Sequence, residues 1–90
     1  VRDGKSYLID CKVCSRGRFP FSRIEDNQHT AMRAWQESGN GTGWFALKCE
    51  GYIFMFDYDT LKRLSKTQSS ISFRDMCFYG RVLEAWVVFA

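Results

Sequence analysis

An amphipathic helix framed by strand-like segments limits this chain to folds in which helices pack on a sheet. The segment from Ser22 to Glu25 has the capping-box pattern, in which the Ser hydroxyl and the Glu carboxylate each satisfy a free backbone N–H. Apolar residues then recur with helical spacing, at Ile24, Ala31, Met32 and Trp35. The segment from Gly39 to Gly41 ends this pattern, so we predict a helix over about residues 23–38.

Strand-like segments flank this helix. Residues 5–13 are predicted as a strand led in by an Asp3-Gly4 turn, and Val1-Arg2 as the tail of a strand paired with it. Residues 43–49 and 52–56 are two apolar runs separated by a short turn at Glu50-Gly51, a pattern typical of a β-hairpin.

In the last third of the chain, the sequence predicts two short helical segments and a final strand. A helix over residues 59–64 is expected to begin near Asp57 or Asp59, and Ser72-x-x-Asp75 predicts a capped helical turn. The apolar run over residues 82–89 is interpreted as the last strand. The predicted order is β-α-β-β-α-β, an α/β (α+β) fold with one central mixed sheet flanked by helices.

Composition supports a single small domain over residues 1–90. Apolar residues make up 46% of the chain, which is enough for a hydrophobic core at this length. Six aromatic residues are expected in that core rather than as base-stacking platforms: Trp44, Phe45, Phe54, Phe56, Trp86 and Phe89. No apolar run of about 18 residues and no signal peptide are found, so we expect a cytoplasmic protein without a membrane partner.

Four cysteines leave three interpretations open. Cys11 and Cys14 form a C-x-x-C pair, while Cys49 and Cys77 stand alone. Reduced and mostly buried thiols are the favoured interpretation. A zinc site and a redox pair are the alternatives; the first lacks a second ligand pair and the second lacks a helix start at the motif.

Asp10 and Lys12 are the first candidate site residues. Positions i and i+2 of a strand point to the same face, so Leu8, Asp10 and Lys12 share one face, while Ile9, Cys11 and Val13 form an apolar face expected in the core. A carboxylate can ligate Mg²⁺ or Mn²⁺, and a neighbouring ammonium can polarise a phosphate or orient an attacking water. The alternative is an exposed Asp–Lys pair of little energetic value.

Gln28 is the second candidate, because a polar amide stands in the apolar stripe of the predicted helix. A helix packed on the sheet would point Gln28 at Asp10 and Lys12, where it could bind a metal-bound water or a phosphate. The alternative places Gln28 at the edge of the stripe, with its amide hydrogen-bonded to backbone.

Three arginines follow the first strand and are candidates for binding phosphates. Arg16, Arg18 and Arg23 are interleaved with Phe19, Pro20 and Phe21. Guanidinium groups suit phosphate contacts, which position a protein on nucleic acid without reading bases. The alternative is a solvated basic loop anchored by two Phe side chains. The net charge of +3, from 13 basic and 10 acidic residues, favours anionic partners only mildly.

These segments together resemble a known family. A strand reading G-K-x-Y-x-I-D-C-K, then F-P-F-S-R-I, then a helix reading E-D-N-Q-H-x-x-A-M, are similar to the RecU-type Holliday junction resolvases and their phage relatives. Those proteins are PD-(D/E)XK, restriction-endonuclease-like nucleases. The similarity covers about residues 3–57 and is weak after Thr60; its most specific part is the spacing from Asp10 through Lys12 to Gln28.

The resemblance implies a Mg²⁺- or Mn²⁺-dependent endonuclease that cuts branched DNA in recombination or repair, as a homodimer. Asp10 would be a metal ligand, Lys12 the catalytic lysine and Gln28 the supporting helix glutamine. The family's earlier aspartate lies several residues before the Asp-Gly-Lys turn and has no counterpart in this sequence. We expect that the native chain extends further N-terminally; the alternative is a non-cleaving relative that binds nucleic acid or another protein.

Overall fold

Strands and helices alternate along the chain in the computed structural model, which describes residues 7–89. The elements are β1 (Leu8–Val13), β2 (Arg18–Pro20), a 3-10 turn (Phe21–Arg23), α1 (Asp26–Glu37), β3 (Gly43–Cys49), β4 (Tyr52–Asp57), α2 (Tyr58–Ser65), β5 (Ser70–Ser72), α3 (Phe73–Tyr79), β6 (Arg81–Val82) and α4 (Leu83–Phe89). The first five predicted elements, β-α-β-β-α, correspond to β1, α1, β3, β4 and α2 of this series. The predicted Asp3-Gly4 turn and Val1-Arg2 strand lie outside the described residues.

A four-stranded mixed sheet in the order β1-β3-β4-β6 organises the fold. β1 runs parallel to β3, while β3 pairs with β4 and β4 with β6 in antiparallel fashion. A parallel pair requires a crossover connection, which here consists of β2, the 3-10 turn and α1. β2 also pairs with β5 in a separate two-stranded sheet. The chain therefore has an α+β architecture with a mixed sheet and flanking helices.

The predicted hairpin between β3 and β4 is confirmed. Its two turn residues, Glu50 and Gly51, have φ values of 52° and 82°. Positive φ at both central positions is the geometry of a type I′ turn, whose twist matches that of the two flanking strands.

Both caps predicted in the last third of the chain are confirmed. The Asp57 carboxylate accepts a hydrogen bond from the Thr60 N–H at 3.0 Å and begins α2. Ser72 and Asp75 form a reciprocal box at the start of α3: the Ser72 hydroxyl accepts from the Asp75 N–H, and the Asp75 carboxylate accepts from the Ser72 N–H. These hydrogen bonds lower the pKa of the Asp75 carboxyl.

The main core lies on the face of the sheet that α1 and α2 cover. Alternate residues of β3 and β4 point into it, because successive strand side chains face opposite sides. Its buried members include Phe19, Ile24, Met32, Phe45, Leu47, Phe54, Phe56, Tyr58, Leu61, Leu64, Ile71 and Met76. A Cβ on Gly43 would collide with the Met32 side chain, so α1 packs directly against the first residue of β3.

A second cluster lies on the opposite face, beneath α4. It consists of Ala46, Met55 and Trp86, with the partly buried Tyr7, Trp44, Ile53 and Leu83 packed around them. Of the aromatic residues predicted in the core, Trp44 is thus only partly buried, and the side chain of Phe89 lies outside the described part.

The prediction that Ile9, Cys11 and Val13 form a core face is wrong. Ile9 is 39% and Val13 62% exposed, and Cys11 is exposed as well. These residues face the side of the sheet that carries α4, and α4 packs on β4 and β6 at the far end of the strand order from β1. The other face of β1, which begins with Leu8, packs toward the main core.

The start of α1 differs from the prediction. Phe21–Arg23 forms a 3-10 turn, in which the Ile24 N–H donates to the Phe21 carbonyl at 3.0 Å, so Ser22 lies within this turn and not at a helix cap. The helix begins three residues later, with Glu25 at the N-cap. Ala31, predicted in the apolar stripe, is exposed.

The predicted last strand is wrong beyond its first residue. Val82 pairs with Phe54 of β4, but Leu83–Phe89 is the helix α4. Leu83 and Trp86 both pack in the second cluster, and their spacing of three residues fits one helix face. A short apolar run does not by itself distinguish a strand from a buried helix.

None of the helices within residues 7–89 has both the length and the apolar character needed to cross a bilayer.

We predict that Gly80→Ala destabilises the domain. A Cβ at this position would lie 2.7 Å from both the Met76 carbonyl oxygen and a ring carbon of Phe56, while the backbone φ of −88° is ordinary for any residue. Overpacking of this kind costs about 1–3 kcal/mol, which thermal or urea unfolding would measure. An unchanged midpoint would show that the α3–β6 junction is loosely packed.

Candidate functional site

Asp10 and Lys12 lie side by side on the face of β1 that points toward the α1 layer. Their partners across the β1–β3 pair are Phe45 and Leu47, both fully buried in the main core. Side chains of residues paired in register point to the same side of a sheet. The carboxylate and the ammonium therefore face the side on which α1 packs, and both are partly buried at the edge of that core.

Gln28 lies in the first turn of α1 and is partly buried. Its side-chain oxygen accepts a hydrogen bond from the Glu25 N–H at 2.9 Å, so the amide completes the helix cap. This is the backbone hydrogen bond considered as the alternative role for Gln28. Because the oxygen is engaged, the free chemistry of Gln28 is its NH₂ group, which donates hydrogen bonds to acceptors such as phosphate or water oxygens.

The three predicted arginines line one groove beyond the carboxyl end of β1. This arginine groove has a volume of about 690 Å³ and is lined by Val13, Ser15, Arg16, Arg18, Pro20 and Arg23. Asp10, Lys12 and Gln28 are not among its lining residues. The structure thus brings the arginines together as one group and Asp10 with Lys12 as another.

A tight turn presents the first two of these arginines. Arg16 and Gly17 have φ values of 54° and 66°, and the Arg18 N–H donates to the Ser15 carbonyl at 3.0 Å. Positive φ at two successive residues makes this a second turn of the type I′ kind. The Arg18 guanidinium then donates to the Ser70 hydroxyl at 2.8 Å, which ties β2 to β5.

Arg23 is held by the end of β1 and by an aromatic ring. One guanidinium N–H donates to the Val13 carbonyl, and the guanidinium carbon lies 5.7 Å from the centre of the Phe19 ring. Phe19 is fully buried, so it anchors the loop while the arginines stay exposed. A guanidinium has five N–H donors, and one protein hydrogen bond leaves others free for a ligand.

Two of the four cysteines lie together: the thiols of Cys14 and Cys49 are hydrogen-bonded to each other at the main core. Cys11 is exposed on the outer face of β1, whereas Cys14 packs against the main core. Burial raises the pKa of the Cys14 thiol to about 12, so it stays protonated and is a poor metal ligand or nucleophile. The expectation of mostly buried thiols is wrong for Cys11 and Cys77, which are exposed.

A second polar groove, between α1 and α2, was missed by the sequence reasoning. This α1–α2 groove has a volume of about 390 Å³ and is lined by Asp26, His29, Thr30, Arg33, Tyr58, Lys62, Ser65 and Lys66. His29 is partly buried and hydrogen-bonded to the Tyr58 hydroxyl at 2.7 Å. The spacing of four residues from His29 to Arg33 and from Lys62 to Lys66 is the one sequence signal for this groove.

Comparison of the chain with protein-family models, with curated proteins and with solved structures gives no match. The similarity to the RecU-type nucleases therefore stays a prediction carried by the motifs around Asp10, Lys12 and Gln28.

We predict that two substitutions at Gln28 test its role in the helix cap. Gln28→Ala removes the acceptor for the Glu25 N–H and is expected to lower the free energy of unfolding by about 1 kcal/mol, as the loss of a helix cap does. Gln28→Glu keeps an acceptor at that position and is expected to unfold near the wild-type midpoint. Equal destabilisation of both variants in urea unfolding would argue against the capping role.

Proposed function

We propose that this chain carries the metal-binding face of a restriction-endonuclease-like core and acts in hydrolysis of DNA phosphodiester bonds, with branched DNA as its substrate. The observation that carries the proposal is the placement of Asp10 and Lys12 on one face of β1, whose carboxyl end borders a groove lined by three arginines. The β1-α1-β3 crossover and the antiparallel β4 fit the fold of the resembled nucleases. Substrate class and a homodimeric state rest on that resemblance.

Asp10 is a partial match to a Mg²⁺ or Mn²⁺ site. It offers a carboxylate oxygen, the ligand type that these ions prefer. Across the described residues 7–89, no cluster of three His, Cys, Asp or Glu residues is arranged to hold a metal ion. Mg²⁺ commonly binds through one or two carboxylates together with waters and substrate phosphates, so Asp10 suits an ion that arrives with the DNA. Such an ion, when bound, neutralises charge on the reacting phosphate.

Lys12 supplies a fixed positive charge next to Asp10. Hydrolysis joins a water oxygen to phosphorus and breaks the bond to the sugar oxygen. The attacking water loses a proton to solvent, and the sugar oxygen leaves with a proton from solvent. Negative charge grows on the non-bridging phosphate oxygens during this step. Hydrogen-bond donors that point at these oxygens stabilise the developing charge. The Lys12 ammonium and the NH₂ group of Gln28 are the donors assigned to this role, with Lys12 also orienting the attacking water.

The arginine groove binds the DNA backbone in this proposal. Its guanidinium groups match phosphate geometry, and their anchoring by Phe19 and Ser70 reduces the entropy lost on binding. Contacts of this kind set the position of the strand and carry no sequence information. Selectivity for branched DNA would then come from the arrangement of two copies on the junction.

We predict that Lys12→Ala in the full-length protein lowers the rate of four-way-junction cleavage by about 10²–10³-fold, the usual cost of removing one such donor. Lys48→Ala is the matched control, because Lys48 is an exposed lysine on the adjacent strand β3. Single-turnover cleavage with Mg²⁺ measures both. Cleavage by Lys12→Ala at the wild-type rate would contradict the assignment. If the wild-type protein binds the junction but does not cleave it, the non-cleaving alternative is favoured.

We predict that Arg18→Ala weakens DNA binding chiefly through its salt-dependent part. Loss of one phosphate contact reduces the slope of log K against log salt by about 0.9. Ser70→Ala keeps the charge while removing the tether to Arg18, and Arg81→Ala removes an exposed arginine on the opposite edge strand, β6. Both controls are expected to retain the wild-type slope in fluorescence anisotropy. An unchanged slope for Arg18→Ala would remove this residue from the DNA path.

A further inference from the structure

The floor of the α1–α2 groove is a fixed pair of side chains. The His29 Nδ1 and the Tyr58 hydroxyl oxygen lie 2.7 Å apart, and the two ring centres are separated by 5.6 Å. Burial raises the pKa of the Tyr58 phenol, which therefore keeps its proton. In the tautomer in which this hydroxyl donates to Nδ1, the His29 Nε2 carries a proton and is a hydrogen-bond donor.

The walls of this groove carry an excess of positive charge. Arg33, Lys62 and Lys66 line it together with a single carboxylate, that of Asp26. Lys62 lies on α2 and Lys66 is its C-cap residue four positions later, a spacing at which like charges repel one another. A bound anion would relieve this repulsion.

The Thr30 and Ser65 hydroxyl groups that line the groove already donate hydrogen bonds to backbone carbonyls. Thr30 donates to the Asp26 carbonyl at 3.0 Å, and Ser65 donates to the Lys62 carbonyl at 2.7 Å. The donors left for a ligand are consequently the charged side chains, which are exposed and long, together with His29. Recognition by flexible cations suits a phosphate chain better than a small molecule that needs a close fit.

The α1–α2 groove and the arginine groove share one short segment of chain. Pro20 and Arg23 line the arginine groove, and Asp26 lines the α1–α2 groove three residues later. The Phe21 N–H donates to the Ser69 carbonyl at 3.0 Å, which holds this segment against the loop that follows α2. The segment from Pro20 to Asp26 thus lies between two basic surfaces.

We propose that the α1–α2 groove binds phosphodiester groups of the DNA strand beyond those held by the arginine groove. This proposal rests on the proposed function and extends the DNA path from β1 onto the helices. A lipid surface fits less well, because Tyr58 is the only aromatic lining residue and is 2% exposed, and no aliphatic side chain among the lining residues is available for insertion. Lys62 and Lys66 contact phosphates directly, and Arg33 closes the opposite wall.

The test is the salt dependence of DNA binding by the full chain without divalent metal, so that no cleavage takes place. Fluorescence anisotropy with a labelled four-way junction and with a duplex compares wild type with Lys62→Gln/Lys66→Gln. The control, Arg63→Gln/Arg74→Gln, also removes two exposed cations, one of them from the same helix, and neither lines this groove. Circular dichroism and thermal unfolding check that both variants fold as wild type does.

The groove variant is expected to reduce the slope of log K against log salt by about 1.8, which is the loss of two phosphate contacts, while the control keeps the wild-type slope. Equal slopes in the groove variant and wild type would overturn the proposal, as would an equal reduction in the control. Because binding is measured without metal, this outcome is separate from the cleavage assay on Lys12. If the groove variant shows the reduced slope but the wild-type protein does not cleave DNA, this inference stands and the nuclease assignment is wrong.

Discussion

The parallel pairing of β1 with β3 is the constraint from which the rest of the arrangement follows. Parallel neighbours need a crossover, so the chain between Val13 and Gly43 must leave one end of the sheet and return to the other. That crossover contains the basic turn, β2 and α1. Its close packing, with Met32 against Gly43, places α1 over the face that carries Asp10 and Lys12. One pairing thus sets α1 on the sheet face of Asp10 and Lys12 and puts the basic turn at the carboxyl end of β1.

The crossover is rigid because its apolar residues are buried while its charges are exposed. Phe19 is fully buried and pairs in register with Ile71, which is also fully buried, in the small β2–β5 sheet. Arg18 and Arg23 are tied to Ser70 and to the end of β1 by hydrogen bonds. Guanidinium groups held in this way lose less conformational entropy on meeting a phosphate than free surface side chains do. A solvated loop anchored by phenylalanine and a phosphate-binding loop are therefore compatible descriptions of the same residues.

Gln28 shows how one side chain can serve the fold and still be available for chemistry. Its oxygen satisfies the Glu25 N–H, which would otherwise be an unpaired donor at the helix start. Its NH₂ group is not needed for that cap. The structural and functional interpretations of this residue use different atoms of the amide, so evidence for the first does not exclude the second.

The amino-acid sequence by itself determined the elements whose signals are local. The β3–β4 hairpin at Glu50-Gly51, the Asp57 cap of α2 and the Ser72–Asp75 box of α3 each depend on residues within a few positions of one another, and all three were predicted. The placement of Asp10 and Lys12 on one face of β1 also follows from the sequence, because side chains two residues apart on a strand point to the same side.

Tertiary structure alone decided what depends on distant neighbours. Which face of β1 is covered was predicted wrongly, because Ile9 and Val13 are apolar but α4, which packs on β4 and β6, does not cover them. Residues 83–89 form a helix because Leu83 and Trp86 meet the second cluster, and the apolar run alone does not specify this. The α1–α2 groove unites residues about 30 positions apart in the chain, His29 and Tyr58 among them, and no local pattern encodes such a contact, since it forms only when two helices pack on the same sheet face.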